Sequence, residues 1–147
     1  MQLTPKQKGN ITEISCLLAF MQNGFKVSLP YGDDCKYDFV ADWHGKLLRV
    51  QCKTSRALPN NDGFKFNPRS VLVNTSTVKT TLYTSEDIDF FATMFDDKCY
   101  ILPVENSSNV KVLRFDYPIN GQKKGIYLAA DYTLEGLVEK LQANNTL

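Results

Sequence analysis

Three side chains near one tight turn carry the most suggestive chemistry in the chain: Asp38, Gln51 and Lys53. The stretch YDFVADWHGKLLRVQCK, residues 37–53, reads as two strands around His44-Gly45-Lys46. Side chains alternate along a strand, so Gln51 and Lys53 share one face, while Leu48, Val50 and Cys52 turn towards a core. If the strands pair about the turn, Asp38 comes opposite the Gln51–Lys53 end. A carboxylate, an amide oxygen and the backbone carbonyl of Cys52 are the hard oxygen donors that Mg²⁺ takes. The Lys53 ammonium beside them is a point charge for an anion. As an isolated triplet, the same residues would serve as an exposed cross-strand polar pair. The segments on either side of the hairpin therefore decide between the two readings.

Upstream lies Lys8-Gly9-Asn10-Ile11-Thr12-Glu13, and downstream Tyr83-Thr84-Ser85-Glu86-Asp87-Ile88-Asp89-Phe90-Phe91-Ala92. The first resembles the KGxxxE helix of resolvase-like members of the PD-(D/E)XK nuclease superfamily. The second resembles the Y-x-x-x-D-I-D-x-F-A segment of its small members. Asp38, a hairpin and then Gln51-x-Lys53 are similar to its central Asp…Glu/Gln-x-Lys core. The resemblance spans roughly the first two thirds of the chain and is strongest to the cyanobacterial-type group I intron-encoded homing endonucleases. Two positions depart from the usual pattern: Gln51 stands where most of the superfamily has an acid, and Tyr37 where it has proline.

The resemblance implies an α/β fold with a restriction-endonuclease-like core, a mixed central sheet flanked by helices. It implies a metal-dependent, site-specific endonuclease of the homing type acting on double-stranded DNA. Glu13, Asp38, Gln51 and Lys53 would be catalytic. Asp38, Gln51, the Cys52 carbonyl and Glu13 would hold Mg²⁺, with Mn²⁺ as a substitute. Glu13 would restore the negative charge that Gln51 lacks, and Lys53 would either hold the attacking water or stabilise the pentavalent phosphate. Cutting two strands needs two sites, so a homodimer is implied, or a homotetramer built as a dimer of dimers. A Holliday junction resolvase shares the KGxxxE helix, and a DNA-binding module of the same fold that has lost cleavage is the reading from another class.

The chain as a whole permits this. Its 147 residues are 43% hydrophobic and 22% charged, which suits one domain over residues 1–147 with a substantial core. A formal charge of +1 requires any DNA-binding face to come from segregated charge. No apolar run spans a membrane and the N-terminus carries no signal-peptide core, so a cytoplasmic protein is expected. Cys16, Cys35, Cys52 and Cys99 form no CxxC pair, and one histidine cannot complete a zinc set, so reduced thiols are expected.

The positioning elements follow from periodicity and caps. Thr4-Pro5-x-Gln7 opens a helix with a capping box, and Gly24 closes it. Its apolar stripe, Ile11, Ile14, Leu18 and Met21, is expected to face the core. A short strand covers residues 25–29, and a loop holds Asp33 and Asp34, which turn chemistry explains without a metal. Residues 54–70 read as a loop whose Arg56, Lys65 and Arg69, interleaved with Phe64 and Phe66, suit DNA. Val71–Val73 reads as a strand, residues 74–81 as a turn with Lys79, and Phe90–Phe95 and Cys99–Val104 as two core strands. Val110–Phe115 alternates as a strand bearing Lys111 and Arg114, followed by a turn with Lys123 and Lys124. The DNA-binding candidates are thus Arg56, Lys65, Arg69, Lys79, Lys111, Arg114, Lys123 and Lys124. Leu134, Leu137, Val138 and Leu141 mark a final helix capped by Asp131 or Thr133, with a frayed tail over residues 142–147.

Overall fold

The computed structural model describes residues 1–73, 75–105 and 109–144, with Leu72 as backbone only. The part of the expected frayed tail at residues 145–147 lies outside the described residues. Helix α1, Pro5–Gln22, opens on the expected capping box: Gln7 N–H donates to Thr4 Oγ1, and the Gln7 side chain accepts from Thr4 N–H. Strand β1 is Lys26–Ser28, β2 is Phe39–Trp43 and β3 is Lys46–Cys52. The β2–β3 turn needs only two residues, because His44 and Gly45 both take positive φ, +48° and +94°. That is the twist-matched hairpin turn, and it pins Phe39 opposite Val50 and Trp43 opposite Lys46.

Residues 54–81 are more regular than the sequence suggests. They form β4 (Arg56–Ala57), β5 (Gly63–Phe66), β6 (Ser70–Val73) and β7 (Val78–Thr81). The expected loop over 54–70 is therefore corrected: Phe64 and Phe66 are fully buried and do not face DNA. The strand expected at Val71–Val73 is β6, while composition hid β5 because its pairing is non-local, antiparallel to β10 (Lys111–Arg114). Gly63 permits it, since a Cβ there would lie 2.1 Å from the Leu113 carbonyl oxygen. β8 (Phe90–Phe95) and β9 (Lys98–Pro103) form the expected hairpin, and α2 (Leu134–Asn144) closes the described chain, with Gly136 N–H donating to its cap, Thr133 Oγ1.

Five strands form a mixed sheet in the order β1-β2-β3-β8-β9, in which only β3–β8 runs parallel. One face packs Phe39, Ala41, Trp43, Leu48, Val50, Ala92 and Ile101 against Cys16 and Phe20 of α1 and Leu134 and Leu141 of α2. The other face packs Phe91, Tyr100 and Leu102 against Phe64, Phe66 and Leu113 of the smaller β10-β5-β4 sheet. The result is three layers, helices over a five-stranded sheet over a three-stranded sheet, with β6–β7 a separate two-stranded ribbon. Cys16 and Cys99 are buried, Cys52 is half-buried, Cys35 is exposed, and all four are free thiols. No described helix is long and apolar enough to cross a membrane.

One expectation for α1 is reversed. The helix buries Cys16 and Phe20, whereas Ile11, Ile14, Leu18 and Met21 lie on its solvent side. The reason is register: Phe20 sets its ring edge-on against Phe25 and Phe39, at centroid distances of 5.0 and 5.2 Å, and this rotates the aliphatic stripe outward.

Candidate active site

The antiparallel β2–β3 pair brings Asp38 beside Cys52, and the parallel β3–β8 pair fixes the strand that ends at Gln51 and Lys53. Asp38 precedes β2 and is held by two bonds: its N–H donates to the Val50 carbonyl at 2.8 Å, and its Oδ2 accepts from Cys52 N–H at 2.7 Å. The second bond turns the Cys52 backbone towards β2, so that its carbonyl lies on the Asp38 side, as the two polar groups of one strand residue do. Lys53 continues past the end of β3 with its N–H donating to the Ala92 carbonyl at 2.9 Å. Gln51 stands between Cys52 and Val50 on the opposite face of the strand. Its amide end lies 3.3 Å from Asp38 Oδ2 and 2.6 Å from the Lys36 carbonyl oxygen. With the amide nitrogen at that end, it donates to both and ties Gln51 to Asp38 and to the Lys36 backbone.

Glu13 enters from α1. It lines a cleft of about 370 Å³ together with Pro30, Asp33 and Asp38. Burial, and then the negative charge of Asp38, push its carboxyl above the ordinary range. Asp38 is also raised, by burial, although the Cys52 N–H and the Lys53 charge pull the other way. Two half-buried carboxyls that repel each other are electrostatically prepared for a positive ion. Thr12 Oγ1 lies 3.2 Å from Thr54 Oγ1, which ties this turn of α1 to the segment just past Lys53. Asp33 shares the cleft, yet no group of three His, Cys, Asp or Glu among the described residues is placed to hold a metal. A cation here would need the Gln51 amide or backbone carbonyls, and these complete a set of oxygen donors that fits Mg²⁺.

Lys53 is gripped by the backbone of Arg69, a DNA-binding candidate, and by Ser70 and Tyr83, which the sequence did not connect to it. Its Nζ donates to the Arg69 carbonyl at 3.0 Å and to Ser70 Oγ at 3.2 Å, and sits 5.0 Å from the centre of the Tyr83 ring. Burial lowers its pKa, opposed by Asp38. Arg49, two residues before Gln51, was also overlooked. Its guanidinium donates to both oxygens of Asp89 at 3.2 Å and to the carbonyls of Ser85 and Glu86 at 2.8 and 2.5 Å. Its period-two spacing with Gln51 and Lys53 was the available signal. These contacts give the Tyr83–Ala92 segment a structural meaning. Tyr83 meets Lys53, Asp87 accepts from Thr84 N–H, Ile88 is fully buried, and Asp89 clamps β3.

The basic candidates separate into groups. Arg56 and Lys65 are cross-strand partners on β4 and β5, with Arg56 exposed. Arg69 is half-buried and flanks the Lys53 contact, while Lys79, Lys123 and Lys124 are exposed. Lys123 lies 5.5 Å over the Tyr117 ring, and Arg114 reaches Asp62 at 3.9 Å. Lys111 is corrected: alternation turns it inward with Leu113, its side chain is 10% exposed, and Nζ pairs with Glu105 at 3.0 Å. A buried, paired ammonium is not available to a phosphate.

Comparison with known proteins gives the family and the fold. A family model described as PD-(D/E)XK endonuclease matches residues 3–135. A solved structure titled as that of a bacterial homing endonuclease, I-Ssp6803I, superposes with a TM-score of 0.74 at 23% identity, covering 99% of this chain and 100% of that one. At that identity the likeness is one of fold. The search of curated proteins found no match.

Proposed function

Because the chain belongs to the PD-(D/E)XK endonuclease family, we propose that it is a Mg²⁺-dependent endodeoxyribonuclease of the homing type, cutting double-stranded DNA at one long site. The observation that carries this reading is Asp38, its Oδ2 held by the Cys52 N–H at 2.7 Å beside the strand end that bears Gln51 and Lys53, in a cleft that Glu13 also lines. The donor set is all oxygen, which suits Mg²⁺ and tolerates Mn²⁺. A divalent cation bound there lowers the pKa of a water and polarises a phosphoryl oxygen.

The chain's own residues do the rest. Asp38 presents its carboxylate from a backbone locked by Val50 and Cys52, so its position is set before substrate arrives. Gln51 and the Cys52 carbonyl supply neutral oxygen, and Glu13 supplies the second negative charge from α1. Lys53 carries the positive charge that offsets charge growing on the phosphate or orients the attacking water. The Arg69 carbonyl, Ser70 and Tyr83 keep its ammonium from swinging away.

The DNA face is read from what surrounds Lys53. The β6–β7 ribbon begins at Ser70, and its described side chains Val71, Val73, Val78 and Lys79 are exposed. A two-stranded ribbon is of a size that the major groove admits. Arg56, Lys65, Arg69 and Lys79 are the nearest candidates in the chain to this ribbon and strand end, with Arg114, Lys123 and Lys124 extending the set. Gly9, in mid-helix, has nothing within 4 Å of where a Cβ would stand, so its side of α1 is open to a close-approaching backbone. Two active sites acting on two strands make a homo-oligomer the working form.

Digesting a randomised duplex library with Mg²⁺ and sequencing the ends tests activity and specificity together. Ends gathered at one long site support the reading. Ends at four-way junctions of any sequence would make the protein a resolvase, and intact DNA bound without cutting would make it a binding module.

A further inference from the structure

The Lys53 ammonium is held from the two ends of the β6–β7 ribbon. Arg69, whose carbonyl accepts from it, precedes β6, Ser70 is the first residue of β6, and Tyr83 lies just past the end of β7 at Thr81. Ser70 and Thr81 are also the pair that closes the ribbon at its stem. Among the described residues the ribbon pairs with neither of the other sheets, and Lys53 forms an ion pair with no carboxylate. The stem therefore sets the aim of the ammonium. Within the stem, Tyr83 is fixed by the core: it is buried, and its ring packs edge-on against Phe91 of β8 at 5.8 Å. Its hydroxyl stands 2.5 Å from Ser70 Oγ, which accepts from Lys53 Nζ at 3.2 Å. The first bond is at the short end for two hydroxyls and the second at the long end for a nitrogen donor. Ser70 Oγ thus follows Tyr83, and Lys53 follows Ser70. A displacement of Ser70 by about 0.5 Å is enough to take the Lys53 bond past hydrogen-bond length.

We propose that this clasp couples the ribbon to the chemical step. Tyr83, acting through Ser70, positions the Lys53 ammonium. A duplex that seats the ribbon well keeps the stem closed and the ammonium in place; one that seats it poorly shifts the stem and lets the ammonium go. Ser70 and Tyr83 are then positioning residues, and they express site preference in the rate of cutting as well as in binding. The inference rests on the proposed roles of Lys53 and of the ribbon, and goes beyond them by making one depend on the other. A tyrosine whose hydroxyl merely needs a partner in the core would affect stability and leave both the ammonium and the cutting pattern unchanged.

Tyr83→Phe removes the hydroxyl and keeps the ring. The clasp is tested in the full chain with ¹⁵N-labelled lysine, free of DNA and metal, where the Lys53 ammonium signal is identified by its loss in Lys53→Met. Proton exchange of that signal with water should quicken roughly threefold or more in Tyr83→Phe, the size of one lost neutral hydrogen bond. Ser70→Ala should quicken it at least as much, and adding Tyr83→Phe to Ser70→Ala should change nothing further. Ser70→Thr, which keeps a hydroxyl, should stay near the wild type. Unchanged exchange in folded Tyr83→Phe overturns the proposal; should that variant not fold, unchanged exchange in Ser70→Ala does so. The coupling is tested by single-turnover cutting of a randomised duplex pool with Mg²⁺. In Tyr83→Phe, cutting of the most favoured sequences should fall roughly tenfold and that of the least favoured by under about twofold, so that preference narrows. Slowing by one common factor across the pool overturns the coupling. A wild type that cuts nothing sinks the nuclease reading instead, and the ammonium signal then decides the clasp by itself.

Discussion

The Arg49–Asp89 clamp makes a quantitative prediction, because the two ordinary views of a half-exposed ion pair give different numbers. Arg49→Met keeps the length of the side chain and removes four guanidinium contacts: two to Asp89 and one each to the Ser85 and Glu86 carbonyls. The backbone bonds stay, Arg49 N–H to Asp89 Oδ2 at 2.8 Å and Asp89 N–H to the Arg49 carbonyl at 2.9 Å. Both side chains are about a third exposed, at 31% and 35%, so water replaces much of what is lost. A charge-assisted bond within a protein is worth about 1.5–3 kcal/mol and an exposed pair about 0–1 kcal/mol. The screened, bidentate, doubly anchored case falls between them, at about 1–2 kcal/mol. For a domain of this size that lowers the melting midpoint by roughly 2–8 °C. The clamp also holds the β3–β8 register that carries Gln51 and Lys53, so cleavage should fall more steeply with temperature in the variant. Urea melts and thermal scans of the two proteins measure it. A loss below about 0.3 kcal/mol would refute the reasoning and make the pair an idle surface bridge.

Other predictions follow from the site itself. Gly9→Ala should stabilise the free protein by about 0.5–1 kcal/mol, because nothing in the chain needs the glycine, and weaken DNA binding if a backbone approaches there; thermal melts and a binding titration separate the two effects. Gln51→Glu should retain cleavage and saturate at lower Mg²⁺, while Gln51→Ala should cut poorly; superimposable Mg²⁺ curves for all three proteins would remove Gln51 from the site. Lys53→Met should slow single-turnover cleavage roughly 10²-fold or more, and an unchanged rate would show the ammonium to be structural. Burial raises Asp38 in the folded metal-free protein, so its stabilising contribution is present below the ordinary carboxylate range and is lost as pH rises through the raised value. Asp38→Asn should therefore melt higher than wild type at neutral pH, with the gap closing on acidification; a gap that widens would contradict the assigned burial.

The hairpin, the capping box and the Asp38–Gln51–Lys53 grouping were legible in the sequence because each is local: alternation, turn chemistry and i to i+3 caps decide them. The face of α1 was not. Its aliphatic stripe has the spacing of a core stripe, and only the aromatic contacts of Phe20 with Phe25 and Phe39 reveal that the helix buries its other side. Within residues 54–81, β6 was legible, but β5 was hidden for the same reason, because it is stabilised by β10 almost fifty residues later in the chain. Lys111 looked like every other lysine on an alternating strand until Glu105 and the inward turn with Leu113 placed it. The roles of Arg49 and Tyr83 depended on partners distant in sequence, Asp89 for one and Lys53 for the other.

The central claim is that Asp38, Gln51 and Lys53 form a cation-dependent phosphodiester-cutting site. The most direct measurement is cleavage of a long duplex pool by the wild type and by Asp38→Asn, with Mg²⁺ and with excess chelator, alongside DNA binding by both proteins. Cutting by the wild type only with Mg²⁺, its loss in Asp38→Asn and binding that survives the substitution are the predicted results. Cutting by Asp38→Asn at the wild-type rate, or wild-type cutting that persists in chelator, would contradict the account.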